Sequence, residues 1–423
     1  MRILQIASGD YTSTYGGGQV YVRRLARALQ HIYGVEVGVV SLSDCLEVDE
    51  VCVDGVHVYR IRQDDFKGGL KYVLEKLKPD VVHAHGLKAQ TTEVCKEMGI
   101  PCVVTAHHGG ILCPSGALLN DKDEICMCIA SHKHCLGCVL SNIRWGKWVT
   151  PLMRRLPQSL YLKVGAFLRR LPFMLFVSPV GQAACQIQNK LAEWQAICKN
   201  CDKMIAPSYA IAEAMQRNGL ENARITVIPH GVELPDVVHA YPAVIGERIK
   251  FYYVGRINYV KGVHILVRAF MQVTDANIEL HIIGGTGNKH EWCYMNQLQR
   301  ESASDTRIVW HGKIPENEVN KTVSQFHILV HPTICLESFG LNIAEALSIG
   351  KWVLATRCGG AEMQVKEGEN GWLVEPNSVN EMKKAIEEIV LNPPTDSPSF
   401  TGVMSMARHA KLVCRCVSAS AIV

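Results

Sequence analysis

Two carboxylates, Glu337 and Glu345, stand eight residues apart within His331–Gly350, HPTICLESFGLNIAEALSIG. The pattern predicts a strand ending at His331-Pro332, a loop carrying Glu337, and a helix opened by Ser338-Phe339-Gly340 and closed by Gly350. Backbone N–H groups at such a helix start favour an anion or polar hydroxyls. One carboxylate before the helix and one inside it can accept hydrogen bonds from different hydroxyls of an extended ligand. The plainer alternative makes Glu337 a helix N-terminal charge and Glu345 a solvated helix residue. A second segment, Tyr253-Val-Gly-Arg-Ile-Asn-Tyr-Val-Lys-Gly262, stops a buried strand at Gly255, where a ligand can approach the backbone. Arg256 and Lys261 then offer a planar fork and a point charge, a pair suited to a diphosphate. Tyr15-Gly-Gly-Gly-Gln19 is a glycine-rich loop into the first helix, but it is not G-x-G-x-x-G.

Five cysteines, Cys113, Cys126, Cys128, Cys135 and Cys138, crowd into 26 residues. Two thiolates in C-x2-C can grip one ion and two more can complete a tetrahedron. The expected ligands are Cys113, Cys126, Cys135 and Cys138, holding structural zinc or an iron–sulfur cluster, with Cys128 spare. Buried reduced thiols are the alternative. Immediately after, no Asp or Glu occurs between Glu124 and Glu193, while nine Lys or Arg do. Trp145, Trp148, Leu152, Leu160, Phe167 and Phe173 interleave with those cations. Such a mixture suits a helix on an anionic membrane face, or an amphipathic excursion packed on its domain with a solvated basic face.

The elements that must position these groups follow from periodicity. Arg2–Ala7, Val35–Leu42, Asp80–His85, Pro101–His107 and Asp202–Pro207 read as strands buried on both faces, separated by amphipathic segments such as Val20–Tyr33 and Thr91–Met98. The pattern restarts with Lys250–Val254, Ile278–Ile283, Arg307–His311, His327–His331 and Trp352–Thr356. Turn formers in Pro229–Pro235 mark a hinge. The expectation is an α/β protein of two Rossmann-like, doubly wound parallel-sheet domains facing a cleft. They would span 1–235, with a Cys-rich and basic insertion at 109–195, and 236–398, followed by an atypical tail at 399–423. Pro393, Pro394 and Pro398 interrupt the chain before that tail, and Lys411–Val423 shows no clear apolar stripe.

With 423 residues, 48% apolar and a net charge of +4, the chain can build large cores and carries no nucleic-acid coat. The N-terminus runs directly into a strand without a signal-peptide pattern, and apolar runs fall short of the about 20 residues of a spanning helix. The expectation is a cytoplasmic protein with reduced thiols.

Taken together the motifs resemble the retaining nucleotide-sugar glycosyltransferases of the GT-B fold, glycosyltransferase family 4. V-G-R-x4-K-G, E-S-F-G-L-x3-E-A, Ala355-Thr356-x2-Gly359-Gly360-x-Glu362 and Glu369-Asn-Gly-x-Leu-Val374 occur in the family's order. The resemblance implies that Glu337 binds donor-sugar hydroxyls and Glu345 the ribose hydroxyls. Arg256 and Lys261 would neutralise the diphosphate, while Gly255 lets the donor approach. Amides near Phe339, Gly340 and Leu341 would contact sugar or phosphate, and Gly17 would face the donor from the other domain. His107 matches the family's T-x-H histidine facing the reacting sugar, and His108 stands where an Asp is often found. No Asp-x-Asp motif sits at a strand end, which fits metal-independent transfer to a carbohydrate or lipid-linked acceptor, peripheral to the cytoplasmic membrane face. The competing readings are a Rossmann-type nucleotide-binding protein and a Cys-cluster metal-binding protein without transferase activity. The first loop lacks the dinucleotide fingerprint, and Val40-Ser-Leu-Ser43 brings no acidic residue to the end of the second strand.

Overall fold

The computed structural model describes residues 1–421 apart from 13–16, 45–47, 144, 172–177, 236–240, 243–247 and 400–401. The chain divides into two units. The first comprises Met1–Asp121, Cys126–His230 and Met406–Val423, and the second Lys122–Ile125 and Gly231–Ser405.

In the first unit, β1 (Arg2–Ile6), α1 (Gly17–Tyr33), β2 (Glu36–Ser43), β3 (Asp49–Val53), β4 (Val56–Arg62), α2 (Phe66–Leu77), β5 (Val81–Ala84), α3 (Lys88–Met98) and β6 (Cys102–Thr105) follow in order. Then come α4 (His132–Asn142), α5 (Gly146–Arg155), α6 (Gln158–Arg169), α7 (Pro179–Asn200), β7 (Lys203–Ala206), α8 (Tyr209–Arg217) and β8 (Ile225–Val227). The sheet runs β3-β4-β2-β1-β5-β6-β7-β8, parallel except for β3 against β4. Ile3, Leu4 and Ile6 are fully buried, as continuous apolar runs at the centre of a parallel sheet require. Each contributes about 1.5–3 kcal/mol of burial. The β3–β4 hairpin was absent from the expectation. Its two-residue turn is Asp54-Gly55, with φ of 54° and 80°, a pair of positive values that matches the twist of the flanking strands. The chain turns into α7 at Ser178-Pro179, where Ser178 Oγ accepts from the Gly181 N–H at 3.3 Å and proline occupies the first helical turn.

The second unit holds β9 (Ile249–Val254), α9 (Val263–Met271), β10 (Ile278–Ile283), α10 (Lys289–Glu301), β11 (Ile308–Gly312), α11 (Glu316–Val323) and β12 (Ile328–His331). It continues through α12 (Leu341–Ser348), β13 (Trp352–Thr356), β14 (Gly371–Val374) and α13 (Val379–Leu391). Its six strands are all parallel, in the order β11-β10-β9-β12-β13-β14. Strand order reverses between β9 and β12, so the carboxyl ends of these two strands form the crevice where doubly wound sheets take ligands.

The tail corrects the expectation. Met406–Ala421 forms a sixteen-residue helix, α14, that belongs to the first unit. Met406, Ala410, Val413 and Val417 recur at helical spacing and are buried with Tyr21, Leu25 and Leu29 of α1. Tyr33 Oη donates to the Ala407 carbonyl at 2.8 Å. The chain therefore closes on its first unit through an ordered amphipathic helix, not an atypical tail.

Candidate active site

The two loops at the switch point of the second unit are locked together by backbone. After β9, Gly255 leads into a single 3-10 turn, Tyr259–Lys261, whose Asn258 Oδ1 accepts from the Lys261 N–H at 3.2 Å. Gly262 follows at φ 68°, and a Cβ there would stand 1.8 Å from the Pro332 carbonyl oxygen. Only glycine permits that approach. Ile334 N donates to the Val260 carbonyl at 3.0 Å, pinning the loop after β12 against the loop after β9. Asn342 Nδ2 reaches the Val254 carbonyl at 3.1 Å and ties the start of α12 to the end of β9.

This scaffold brings Lys261, Glu337 and His331 together. Lys261 Nζ donates to Glu337 Oε2, and His331 Nε2 stands 3.5 Å from the same oxygen. Glu337 keeps 12% of its side-chain exposure and Lys261 30%. Burial works against the Glu337 charge, but Lys261 and His331 outweigh it and hold the carboxyl well below the usual carboxylate range. Burial likewise opposes the Lys261 charge, and Glu337 overrides it to raise the ammonium above its ordinary value. The pair is therefore ionised throughout the physiological range. Glu337 is fixed through its backbone as well: its N–H donates to the Cys358 carbonyl at 2.7 Å, and its carbonyl accepts from Gly360 N at 3.0 Å.

Helix α12 is entered through Gly340, φ 82°, which has no side chain of its own to cap the first turn. Its N-terminal dipole thus lies three residues beyond Glu337 and favours an anion or hydroxyls. Gln364 Nε2 donates to the Phe339 carbonyl and steadies this entry. Glu345 is half-buried on the same helix. Arg256 is 63% exposed, with Nη1 3.9 Å from Glu291 Oε1, so its guanidinium is not committed to a tight protein pair. Tyr253 Oη donates to the Arg256 carbonyl at 2.5 Å.

His331 was not singled out from the sequence, where it only closes a strand before Pro332. Asn258 and Gln364 were also missed, because their work is on backbone atoms.

On the first unit, His107 lies just beyond β6, half-buried, with Nε2 2.9 Å from His85 Nδ1. His108 accepts from the Gly110 N–H at 3.1 Å, capping a short 3-10 turn. Gly17 opens α1, while Tyr15 and Gly16 lie outside the described residues.

The cysteine cluster lies on the first unit. Among the described residues no three His, Cys, Asp or Glu groups are placed to hold one metal ion. Cys135 and Cys138 sit one turn apart on α4, and Cys113 Sγ is 3.1 Å from Ser115 Oγ. Burial pushes Cys126 up to about 11 and Cys135 up to about 12, and raises Cys138. The thiols also act on one another: Cys113 and Cys138 add to the upward shifts of Cys126 and Cys135, and Cys113 and Cys128 to that of Cys138. The four thiols therefore neighbour one another without forming a metal-holding group among the described residues.

The family description "Glycosyl transferases group 1" matches residues 241–398, and "Glycosyl transferase 4-like domain" matches residues 16–231. An uncharacterized glycosyltransferase of Methanocaldococcus jannaschii is 24% identical over 223 residues, covering 49% of this chain and 55% of that protein. The D-inositol 3-phosphate glycosyltransferase of Pseudarthrobacter chlorophenolicus is 26% identical over 199 residues, 44% of this chain and 47% of that protein. The chain thus spans about half the length of the curated relatives it matches. Among solved structures, Anabaena HepE in complex with UDP and glucose superposes with a TM-score of 0.67 at 15% identity, covering 99% of both chains. Sucrose-phosphate synthase from Thermosynechococcus elongatus gives 0.64 at 20% identity, covering 100% of this chain and 96% of that one. These likenesses establish the GT-B fold. With both halves of the sequence matched, the chain belongs to the group 1, family 4-like glycosyltransferases.

Proposed function

We propose that this protein transfers a sugar from a nucleotide-sugar donor to an acceptor hydroxyl with retention of configuration and without a metal ion. The observation that carries the reading is the Lys261–Glu337–His331 cluster beside a helix start entered through glycine at the sheet's switch point. Lys261 and Arg256 neutralise the donor diphosphate, in place of the divalent ion used elsewhere. Glu337 accepts hydrogen bonds from donor-sugar hydroxyls and Glu345 from the ribose. The amides of Phe339, Gly340 and Leu341 contact sugar or phosphate, and Gly255 allows the donor's close approach. Gly17 and His107, on the first unit, are assigned to the reacting sugar through the family's motifs. In the front-face reaction the acceptor oxygen bonds to the anomeric carbon as the bond to the diphosphate oxygen breaks. The leaving group takes that electron pair and the acceptor proton. Calorimetric titration with UDP, GDP, ADP and NAD tests the reading. Binding of a nucleoside diphosphate but not NAD supports it, and preference for NAD would return the chain to the dinucleotide-binding class.

The acceptor side of the reading is a carbohydrate or lipid-linked acceptor met at an anionic membrane surface. No described helix is long and apolar enough to cross a membrane. Helices α5 and α6 instead carry exposed apolar stripes: Trp145, Trp148 and Leu152 on one, Leu160, Val164 and Phe167 on the other, continued by Leu171. These positions recur at helical spacing. The opposite faces, through Met153 and Leu168, join Ala183 and Ile187 of α7 in a separate core. Trp148 is 83% exposed and Phe167 61%. Arg155, Lys163 and Arg170 are exposed nearby, with no acidic residue in the stretch. Aromatics flanked by cations suit an interface rich in anionic lipid. Flotation with phosphatidylglycerol-containing vesicles should carry the protein, and Trp148→Ser with Phe167→Ser should release it. Equal flotation with pure phosphatidylcholine, or self-association through this face by light scattering, would overturn the membrane reading.

A further inference from the structure

Four histidines of the first unit ring one tyrosine, and a fifth packs against one of them. Tyr21 of α1 has its ring 5.6 Å from that of His85, 4.8 Å from His107, 4.6 Å from His230 and 5.4 Å from His409. His83 lies against His85 at 4.1 Å and pairs its Nε2 with Thr105 Oγ1 at 2.7 Å. The cage has a determined hydrogen-bond direction at its α14 end. His409 Nδ1 is 2.7 Å from the Pro229 carbonyl, which can only accept, so Nδ1 carries the proton. His409 Nε2 then accepts from Tyr21 Oη at 2.7 Å.

The same reasoning applies to His85 and His107, whose Nδ1 and Nε2 atoms are 2.9 Å apart. One of them donates. His85 is 1% exposed, and its Nε2 has no hydrogen-bond partner among the described residues. If His107 donated, neutral His85 would have to carry its proton on that buried Nε2, leaving an orphan N–H. If His85 donates, Nε2 keeps only an unused lone pair. Orphan buried N–H groups are the rarer of the two. The backbone of His85 is held in place. Its N–H donates to the Ile6 carbonyl at 3.0 Å and its carbonyl accepts from Lys88 Nζ at 2.6 Å. The next residue, Gly86, would place a Cβ 2.4 Å from the Ala7 carbonyl oxygen.

We propose that His85 is a positioning residue that donates Nδ1–H to His107 Nε2 and so holds His107 in its Nδ1–H form. With Nε2 occupied as an acceptor, His107 carries its proton on Nδ1 and is no base through Nε2. In sugar transfer it therefore leaves the acceptor proton to another route. This role of His107 rests on the sugar-transfer reading; the tautomer does not.

Long-range proton–nitrogen NMR on the ligand-free, nitrogen-labelled full chain reads the tautomer directly, with His85→Asn and His107→Gln spectra providing assignment. A protonated Nδ1 and bare Nε2 on His107 is the expected result, and a protonated His107 Nε2 overturns the proposal. His85→Asn, whose Nδ2 retains the donor, should keep donor turnover within about threefold, whereas His85→Phe should lose roughly ten- to hundred-fold, as for loss of an orienting partner. The loss should appear in kcat with the nucleotide diphosphate affinity unchanged. Equal loss in both variants despite intact folding would refute positioning by a donor. If the wild type turned over no UDP-, GDP- or ADP-sugar, the sugar-transfer reading would fail, while the NMR spectrum would still decide the tautomer.

Discussion

Lys261→Ala separates the ion pair that this ammonium makes with Glu337 from the diphosphate role proposed for it. In the resting protein its Nζ neutralises Glu337, a carboxylate with 12% exposure whose other side-chain neighbour is His331 Nε2 at 3.5 Å. Removing one partner of a buried pair costs about 3–5 kcal/mol, because the other charge is left uncompensated. Lys261 retains 30% exposure, so the lower end, about 3 kcal/mol, is the expected loss. For a unit of this size that lowers Tm by about 6–12 °C. The loss should depend on pH with a definite sign. In the wild type, Glu337 is held below its ordinary value, so its stabilisation is present above the ordinary carboxylate pKa and is lost as pH falls through the depressed one. In Lys261→Ala, burial dominates and pushes Glu337 up. Protonation then favours the folded form, and the Tm gap between the two proteins should narrow from pH 7 to pH 5. Catalysis behaves differently. Losing one group that stabilises the departing diphosphate costs on the order of 2.7–4 kcal/mol, or 10²–10³ in kcat. Adding Glu337→Gln to Lys261→Ala should restore much of the Tm, by scanning calorimetry, but no leaving-group stabilisation. Near wild-type transfer by Lys261→Ala, or a gap that widens towards pH 5, would refute this reasoning.

Two further outcomes follow from the buried groups. Burial lowers His83 to about 3, His230 to about 3 and His409 to about 4. Below the ordinary pKa of 6.5 the unfolded chain binds these protons and the folded chain does not, so stability falls as pH drops towards the depressed values. At about 1.4 kcal/mol per pH unit for each, three histidines cost about 4 kcal/mol per unit. The urea midpoint of the first unit should fall steeply between pH 6.5 and 5, and a flat midpoint would contradict the neutral cage. Gly262→Ala combines a left-handed backbone with a Cβ placed 1.8 Å from the Pro332 oxygen. It should destabilise by more than about 2 kcal/mol and weaken nucleotide binding together, as read by thermal melts and titration calorimetry.

Much of the second unit was legible because its chemistry sits where its strands end. The strand at Lys250–Val254 and the one at His327–His331 are neighbours in the observed sheet, so the arginine–lysine segment and the paired glutamates meet at one switch point. Sequence spacing identified the two segments, but the Lys261–Glu337 pair exists only through the Gly262–Pro332 approach, a tertiary contact. The closing helix was obscured because its stripe uses Ala410 and Cys416 beside a buried His409, and prolines precede it. The β3–β4 hairpin had an Asp-Gly signal between alternating valines that went unread. The cysteine spacing carries only part of a site. C-x2-C on a helix places thiols one turn apart, and whether others close around them depends on loops that spacing does not define.

The central claim is tested most directly by incubating the purified protein with UDP-, GDP- and ADP-sugars and an acceptor panel, following nucleoside diphosphate release and the anomeric configuration of the product. The account predicts release from one class of donor, a product that retains the donor's configuration, and a loss of roughly 10²–10³ in Lys261→Ala. No release from any donor, or a product of inverted configuration, would contradict it.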